Sequence, residues 1–243
     1  MLYEGPTHTG LAVTKAQALA ERLTTAIAVG QFSPGDRIPS EREIADQFSV
    51  SRVTVREAIR LVAAEGLLVS RRGRDGGTFV TESGGVSAAP EVIRRTLERA
   101  LPALREFSDY RCLIEGTIAR TAAERCTPVD ATRLWARMAD FDTASSLSAA
   151  RGADRRLHTE IAAVARNDHL SQLSVKLSAD ATLGFGSEPY PLEYLERAAR
   201  EHRELVEAIV DRDMERSFRA AREHYALTLE ILEQGLRTVS DDS

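Results

Sequence analysis

The sequence predicts a mainly α-helical protein in two parts: a winged helix-turn-helix over residues 11–82 and an all-α bundle of six to seven helices over residues 91–237. Three observations predict it. Up to residue 82 the hydrophobic period switches between helix and strand over short distances, as in a small mixed module. From residue 91 onward Leu, Ile, Val and Ala recur almost throughout at helical spacing. Between the two, residues 83–90 read SGGVSAAP, small and without a hydrophobic period, which is the composition of a linker.

The front elements follow in order. Residues 14–29 form a helix with Ala18, Leu19, Leu23, Ala26 and Ile27 on one face, and Gly30 ends it. Pro34-Gly35 centres a turn. Ser40 followed by Glu43 is a capping box opening a second helix with Ile44, Ala45 and Phe48 inward. Ser49-Val50 is a tight break. A third helix runs from Ser51 to about Glu65, burying Val55, Ala58, Ile59 and Val62, with Gly66 closing it. Residues 67–71 and 78–80 read as strands around a glycine-rich turn at 72–77.

In the second part, helix breaks are expected near Leu101-Pro102, Thr127-Pro128, Ala150 to Gly152, Asn167-Asp168, residues 184–191 and Arg212-Asp213. Asn167 reads as a helix cap or terminator, and Trp135 as core or dimer packing.

Composition excludes several classes. The chain has 243 residues, 43% hydrophobic and 28% charged, enough to bury a proper core. No apolar run approaches the roughly 18 residues that span a bilayer, and no secretory leader is visible. The only cysteines, Cys112 and Cys126, would lie about 21 Å apart on one helix, too far for a disulfide within the chain. A cytoplasmic protein is expected, with no membrane partner. Net charge is −5, yet the acidity is uneven. Residues 11–82 hold ten basic and nine acidic side chains, and residues 37–74 hold eight arginines against five acids. A local basic face at the front is therefore compatible with an acidic chain.

Two short helices with a tight break, then a hairpin, suit a third helix that enters a DNA major groove by its N-terminus. Ser51, Arg52, Thr54 and Arg56 stand there. Arg52 has the fork for guanine O6 and N7, while Thr54 and Arg56 suit a base or a phosphate. Arg42 sits where a phosphate backbone crosses, and Arg72-Gly73 at the wing tip offers a cation to the minor groove. The competing reading is a solvated face with ion pairs to Glu41, Glu43 and Glu57.

In the bundle, Asp154 and His158 are four residues apart on an apolar face. His202 lies on the stripe of Leu195, Ala199, Val206 and Ile209, and His224 on that of Ala221, Thr228 and Ile231. Three imidazoles and a carboxylate suit Zn²⁺, Ni²⁺, Mn²⁺ or Fe²⁺. Hydrogen-bonded core histidines around Asp154 are the other reading. Arg111 can take a carboxylate in a bidentate fork or pair with Glu115 one turn on.

The run PGDRIPSEREIADQFSVSRVTVREAIRLVAAEGLLVSRRGRDGGTFV over residues 34–80 resembles the DNA-binding signature of the GntR family of bacterial transcription regulators, with Val62 where that family more often has leucine. The resemblance covers about residues 15–81. It implies operator contacts by Arg42, Arg52, Thr54, Arg56, Arg72 and Gly73. Asp109-Tyr-Arg111 with Glu115, Asp154 with His158, then His202 and His224 resemble the FCD ligand-binding domain of the FadR-type members, over about residues 92–235. That resemblance implies a divalent ion on Asp154, His158, His202 and His224, zinc foremost, and a small organic acid facing Arg111. Together they imply a homodimeric, acid-responsive regulator, most often a repressor, on a palindromic DNA operator. Two alternatives remain at this point: a helical metalloenzyme, and a regulator whose metal is purely structural.

Overall fold

A computed structural model of the chain describes residues 14–73, 76–82, 89–185 and 194–241. Residues 11–13 of the expected front module, the wing positions Arg74 and Asp75, and linker residues 83–88 lie outside the described residues.

The front module holds α1 (Lys15–Ala28), α2 (Glu41–Phe48), α3 (Arg52–Ala64) and the strands β1 (Leu68–Arg71) and β2 (Gly77–Val80). Each helix starts where a side chain satisfies an orphan N–H. Thr14 with Gln17 and Ser40 with Glu43 form full capping boxes, and Ser51 accepts from the Thr54 N–H. Ser49 makes the break between α2 and α3 in the left-handed region, at φ 52°. The strands pair antiparallel, with Leu68 opposite Val80 and Arg71 opposite Gly77, and Arg37 adds an isolated bridge to Phe79. Gly76 is required in the wing: a Cβ there would stand 2.6 Å from the Arg71 carbonyl oxygen. Leu23, Ile38, Ile44, Val55, Ala58 and Val62 fill the core of the module.

The bundle comprises α4 (Ala89–Arg125), α5 (Pro128–Asp142), α6 (Leu147–Val164), α7 (Asp168–Ala181), α8 (Leu195–Val210) and α9 (Met214–Asp241). That is six helices among the described residues. Two expected breaks do not occur. Pro102 lies inside α4, although it removes a backbone donor and crowds the preceding turn. Extensive packing of α4 against α9, and of its first half against α1, outweighs that local cost. Residues 150–152 lie inside α6, where Ala150, Ala153 and Asp154 are all buried. A helix-interior glycine costs about 1 kcal/mol relative to alanine, which that burial offsets. Helix α4 also begins at Ala89, so Ala89 and Pro90 are helical rather than linker. Asn167 caps α7, accepting from the His169 and Leu170 N–H groups. Trp135 packs partly buried against the bundle core. Cys112 and Cys126 are free and buried.

The two parts share a seam that the sequence did not announce. Phe185, just past α7, is buried in the core of the front module, edge-on to Phe32 and tilted against Phe48 at centroid distances of 5.4 and 5.0 Å. The buried Gln31 side chain donates to the Thr182 carbonyl at 2.6 Å. Val29 and Leu97 close the seam with Ile93, Leu104 and Leu183.

Candidate functional site

Helix α3 turns Val55, Ala58, Ile59 and Val62 into the core, which leaves the opposite face and the N-terminal turn open. Arg42, Ser51, Arg52, Arg56, Arg72 and Gly73 are all exposed, and Thr54 is half-buried. Their constraints differ. Arg56 is already held by Glu41 of α2 through two contacts, Nε–Oε1 at 3.1 Å and Nη2–Oε2 at 2.8 Å. The Ser51 and Thr54 hydroxyls lie 2.8 Å apart, so Ser51 serves first as the cap of α3. Arg52 makes no ion pair among the described residues. Glu57 pairs with Arg60 rather than with the N-terminal arginines. The ion-paired reading thus describes Arg56 and not Arg52.

In the bundle, α6 brings Asp154 and His158 together, α8 brings His202 and α9 brings His224. All four are buried, and one ligand atom from each lies within 4.8 Å of all the others. The three Nε2 atoms are 3.1–3.3 Å apart. Asp154 Oδ1 lies 3.1 Å from His202 Nε2 and 3.5 Å from His158 Nε2. With metal–nitrogen bonds of about 2.1 Å, those nitrogen separations correspond to angles of roughly 95–104°. That falls between octahedral and tetrahedral values, so the donor set fits one divalent ion. A cluster of core histidines satisfying one another accounts less well for three Nε2 atoms all pointing inward.

The electrostatics suit ligands. Burial drives Asp154 toward its neutral form, but the His158 and His202 imidazoles outweigh it and hold the carboxyl well below its ordinary value. Burial pulls His202 below the usual imidazole range, and burial with the neighbouring imidazoles pulls His224 well below it. For His158 burial works downward, and Asp154 overrides it.

Several supporting groups escaped the sequence reading. Tyr225 places its hydroxyl 2.9 Å from His158 Nδ1, and Glu201 Oε2 lies 3.2 Å from His224 Nδ1. Outer partners of this kind fix which nitrogen faces a metal. Each is a direct chain neighbour of a histidine, Tyr225 of His224 and Glu201 of His202, which is the one signal that could have found them. Ser174 of α7 donates to Glu115 at 2.9 Å. Burial raises the Glu115 carboxyl, opposed chiefly by Arg111.

Arg111 is buried on α4, with its guanidinium 4.6 Å over the Tyr225 ring. It lines a mainly apolar cavity with Leu104, Phe107, Leu183 and Leu229. Arg111 is therefore one aromatic ring away from the histidine cluster.

The comparisons with known proteins match both parts. Residues 15–80 match the model for bacterial regulatory proteins of the gntR family, and residues 106–227 match the FCD domain. RmpR of Mycobacterium gastri is 30% identical over 87% of this chain and 78% of its own length. The galactonate operon transcriptional repressor of Escherichia coli is 27% identical over 87% of this chain and 93% of its own length. The solved structure of Escherichia coli McbR/YncC aligns with 92% of this chain and 99% of that chain at 20% identity and a TM-score of 0.48. The families and the relatives are transcriptional regulators, which leaves the metalloenzyme alternative without support. No helix among the described residues is long and apolar enough to cross a membrane. A front module of three capped helices and a two-stranded wing that matches the gntR family, followed by an FCD bundle, places this chain in the GntR family as a DNA-binding transcriptional regulator.

Proposed function

We propose that the chain is a cytoplasmic, homodimeric repressor whose bundle holds a divalent metal ion and responds to a small carboxylate. Residues 11–82 read DNA and residues 91–237 sense. One observation carries the metal: four buried ligand atoms from three helices converge within 4.8 Å. Asp154, His158, His202 and His224 hold the ion, with zinc the first candidate and nickel, manganese or iron behind it. A bound divalent cation supplies a Lewis-acid anchor for an anionic group. Arg111 supplies a second, directional anchor, because a guanidinium fork matches a carboxylate. Its burial at 4% exposure strengthens any such pairing.

On the DNA side, Arg42, Ser51, Arg52, Thr54, Arg56 and the Arg72-Gly73 tip face the operator. Two copies related by a two-fold axis read two halves of a palindrome. The acid acts by favouring one arrangement of the two winged helices over the other.

Elemental analysis and native mass spectrometry of the purified full chain test this reading. One divalent ion per chain is expected, with a small acid retained beside it. In Asp154→Ala combined with His202→Ala the ion is lost while the winged helix stays folded. Full occupancy in that double variant, or a metal-free native chain that no added divalent ion fills, overturns the site.

A further inference from the structure

We propose that Val53 reads one base of the operator, packing its isopropyl group against the 5-methyl of a thymine in the major groove. The proposal rests on α3 being the reading helix, as argued above. Val53 is the second residue of α3, between Arg52 and Thr54. At 100° per residue it points roughly opposite the buried residues Val55, Ala58, Ile59 and Val62, at the centre of the open face. It is 74% exposed, the highest value among the large hydrophobic residues described.

Among the described residues Val53 borders a surface recess shared with Thr14, Ala16 and Gln17 at the start of α1. It adds little to the core, and valine is a poorer helix former than alanine or the straight-chain polar residues. The neighbouring side chains are partly committed elsewhere: Arg56 to Glu41, and the Ser51 and Thr54 hydroxyls to each other. Arg52 and Val53 are exposed between them. An arginine fork with an adjacent apolar group matches a guanine with a neighbouring thymine, since the thymine methyl is the one apolar feature of a base edge in the major groove. The surrounding arginines make a duplex the fitting occupant of this face rather than an apolar protein surface.

The test uses the full chain and a duplex selected by it from random sequence. Each thymine of a half-site is replaced in turn by deoxyuridine, which keeps the pairing and removes only the methyl. Affinity is read by fluorescence anisotropy at fixed salt. One position is expected to weaken binding about fourfold, the equivalent of losing contact with one methyl-sized group. Val53→Ala is expected to bind the thymine and uracil duplexes alike at that position, and its exposed site leaves folding intact. Insensitivity to every uracil, a half-site without thymine, or equal uracil sensitivity in Val53→Ala overturns the proposal. Arg52→Ala separates this from failure of the underlying reading. It is expected to lose specific binding by about 5- to 150-fold, as a bidentate base contact of about 1–3 kcal/mol implies. If it binds normally, α3 is not the reading helix. If it fails while uracil has no effect, only the role of Val53 falls.

Discussion

Tyr225→Phe removes one oxygen and leaves the ring in place. The ring packs beside the His158 and His224 imidazoles and under the Arg111 guanidinium, and phenylalanine keeps those contacts. The hydroxyl, 2.9 Å from His158 Nδ1, is what goes. With His158 Nε2 turned toward the cluster, its neutral tautomer carries the proton on Nδ1 and donates it to the tyrosine oxygen. The tyrosine O–H is then free to donate to Glu115, whose carboxylate it stabilises. Glu115 is also bonded by Ser174. A chain from His158 through Tyr225 to Glu115 and Ser174 therefore holds the imidazole in the tautomer that leaves Nε2 a free acceptor toward the cluster. Loss of such an outer partner typically weakens metal binding by about 10–100-fold, or about 1.4–2.7 kcal/mol. The metal-free protein loses about 1 kcal/mol for the missing hydrogen bond, rising toward 3 kcal/mol because His158 Nδ1 is left buried without it. Competitive titration of the full chain against a chelator of known affinity measures the first quantity, and chemical denaturation of the metal-free chain the second. A fall in stability with unchanged metal affinity would refute the argument, since Tyr225 would then support the bundle and not the site.

Two further outcomes concern stability. Asp130 is buried at the start of α5, where Thr127 donates its N–H and hydroxyl to the carboxylate and Arg133 and Arg166 pair with it. Burial works to raise its pKa, but the Thr127 and Arg166 contacts outweigh it and bring it to about 2 from 3.8. A depressed pKa stabilises the fold above the unfolded value, so this contribution is complete above about pH 5 and is lost as pH falls through 3.8 toward 2. The full linkage is about 2.4 kcal/mol, and water reaching the exposed arginines screens it to about 1–2 kcal/mol. Asp130→Asn should show that loss at pH 7 and a flatter acid limb in urea denaturation; an unaltered acid limb counts against it. Phe185→Ala should cost about 3–5 kcal/mol through the cavity it leaves, read as faster amide exchange in α2 and α3 with metal content unchanged. Unchanged exchange there would show that the ring does not support the front module.

The parts legible in the sequence are those fixed by local chemistry. Ser40 with Glu43 and Ser51 before Thr54 start helices because a cap needs only a hydroxyl and an N–H three residues on. The Asp154/His158 pair and the His202 and His224 stripes were legible because helical spacing puts each on a buried face, where a polar residue requires a partner. The misplaced break at Pro102 shows the limit of that logic. Proline announces a local cost, and only the packing of α4 on α9 and α1 reveals that the cost is met. Tyr225 and Glu201 went unread for a related reason. Each looks like an ordinary helix residue until a histidine from another helix arrives beside it. Phe185 is the farthest case: a phenylalanine inside a predicted break has no local reason to belong to a core formed more than a hundred residues earlier. Yet it seats against Phe48, at the end of α2 directly before the turn into α3. The same helix α7 that ends at this seam carries Ser174, the partner of Glu115, seven residues before its last residue. Helix α7 thus carries Ser174 beside Glu115, and the segment directly after it, from Thr182 to Phe185, packs against the front module.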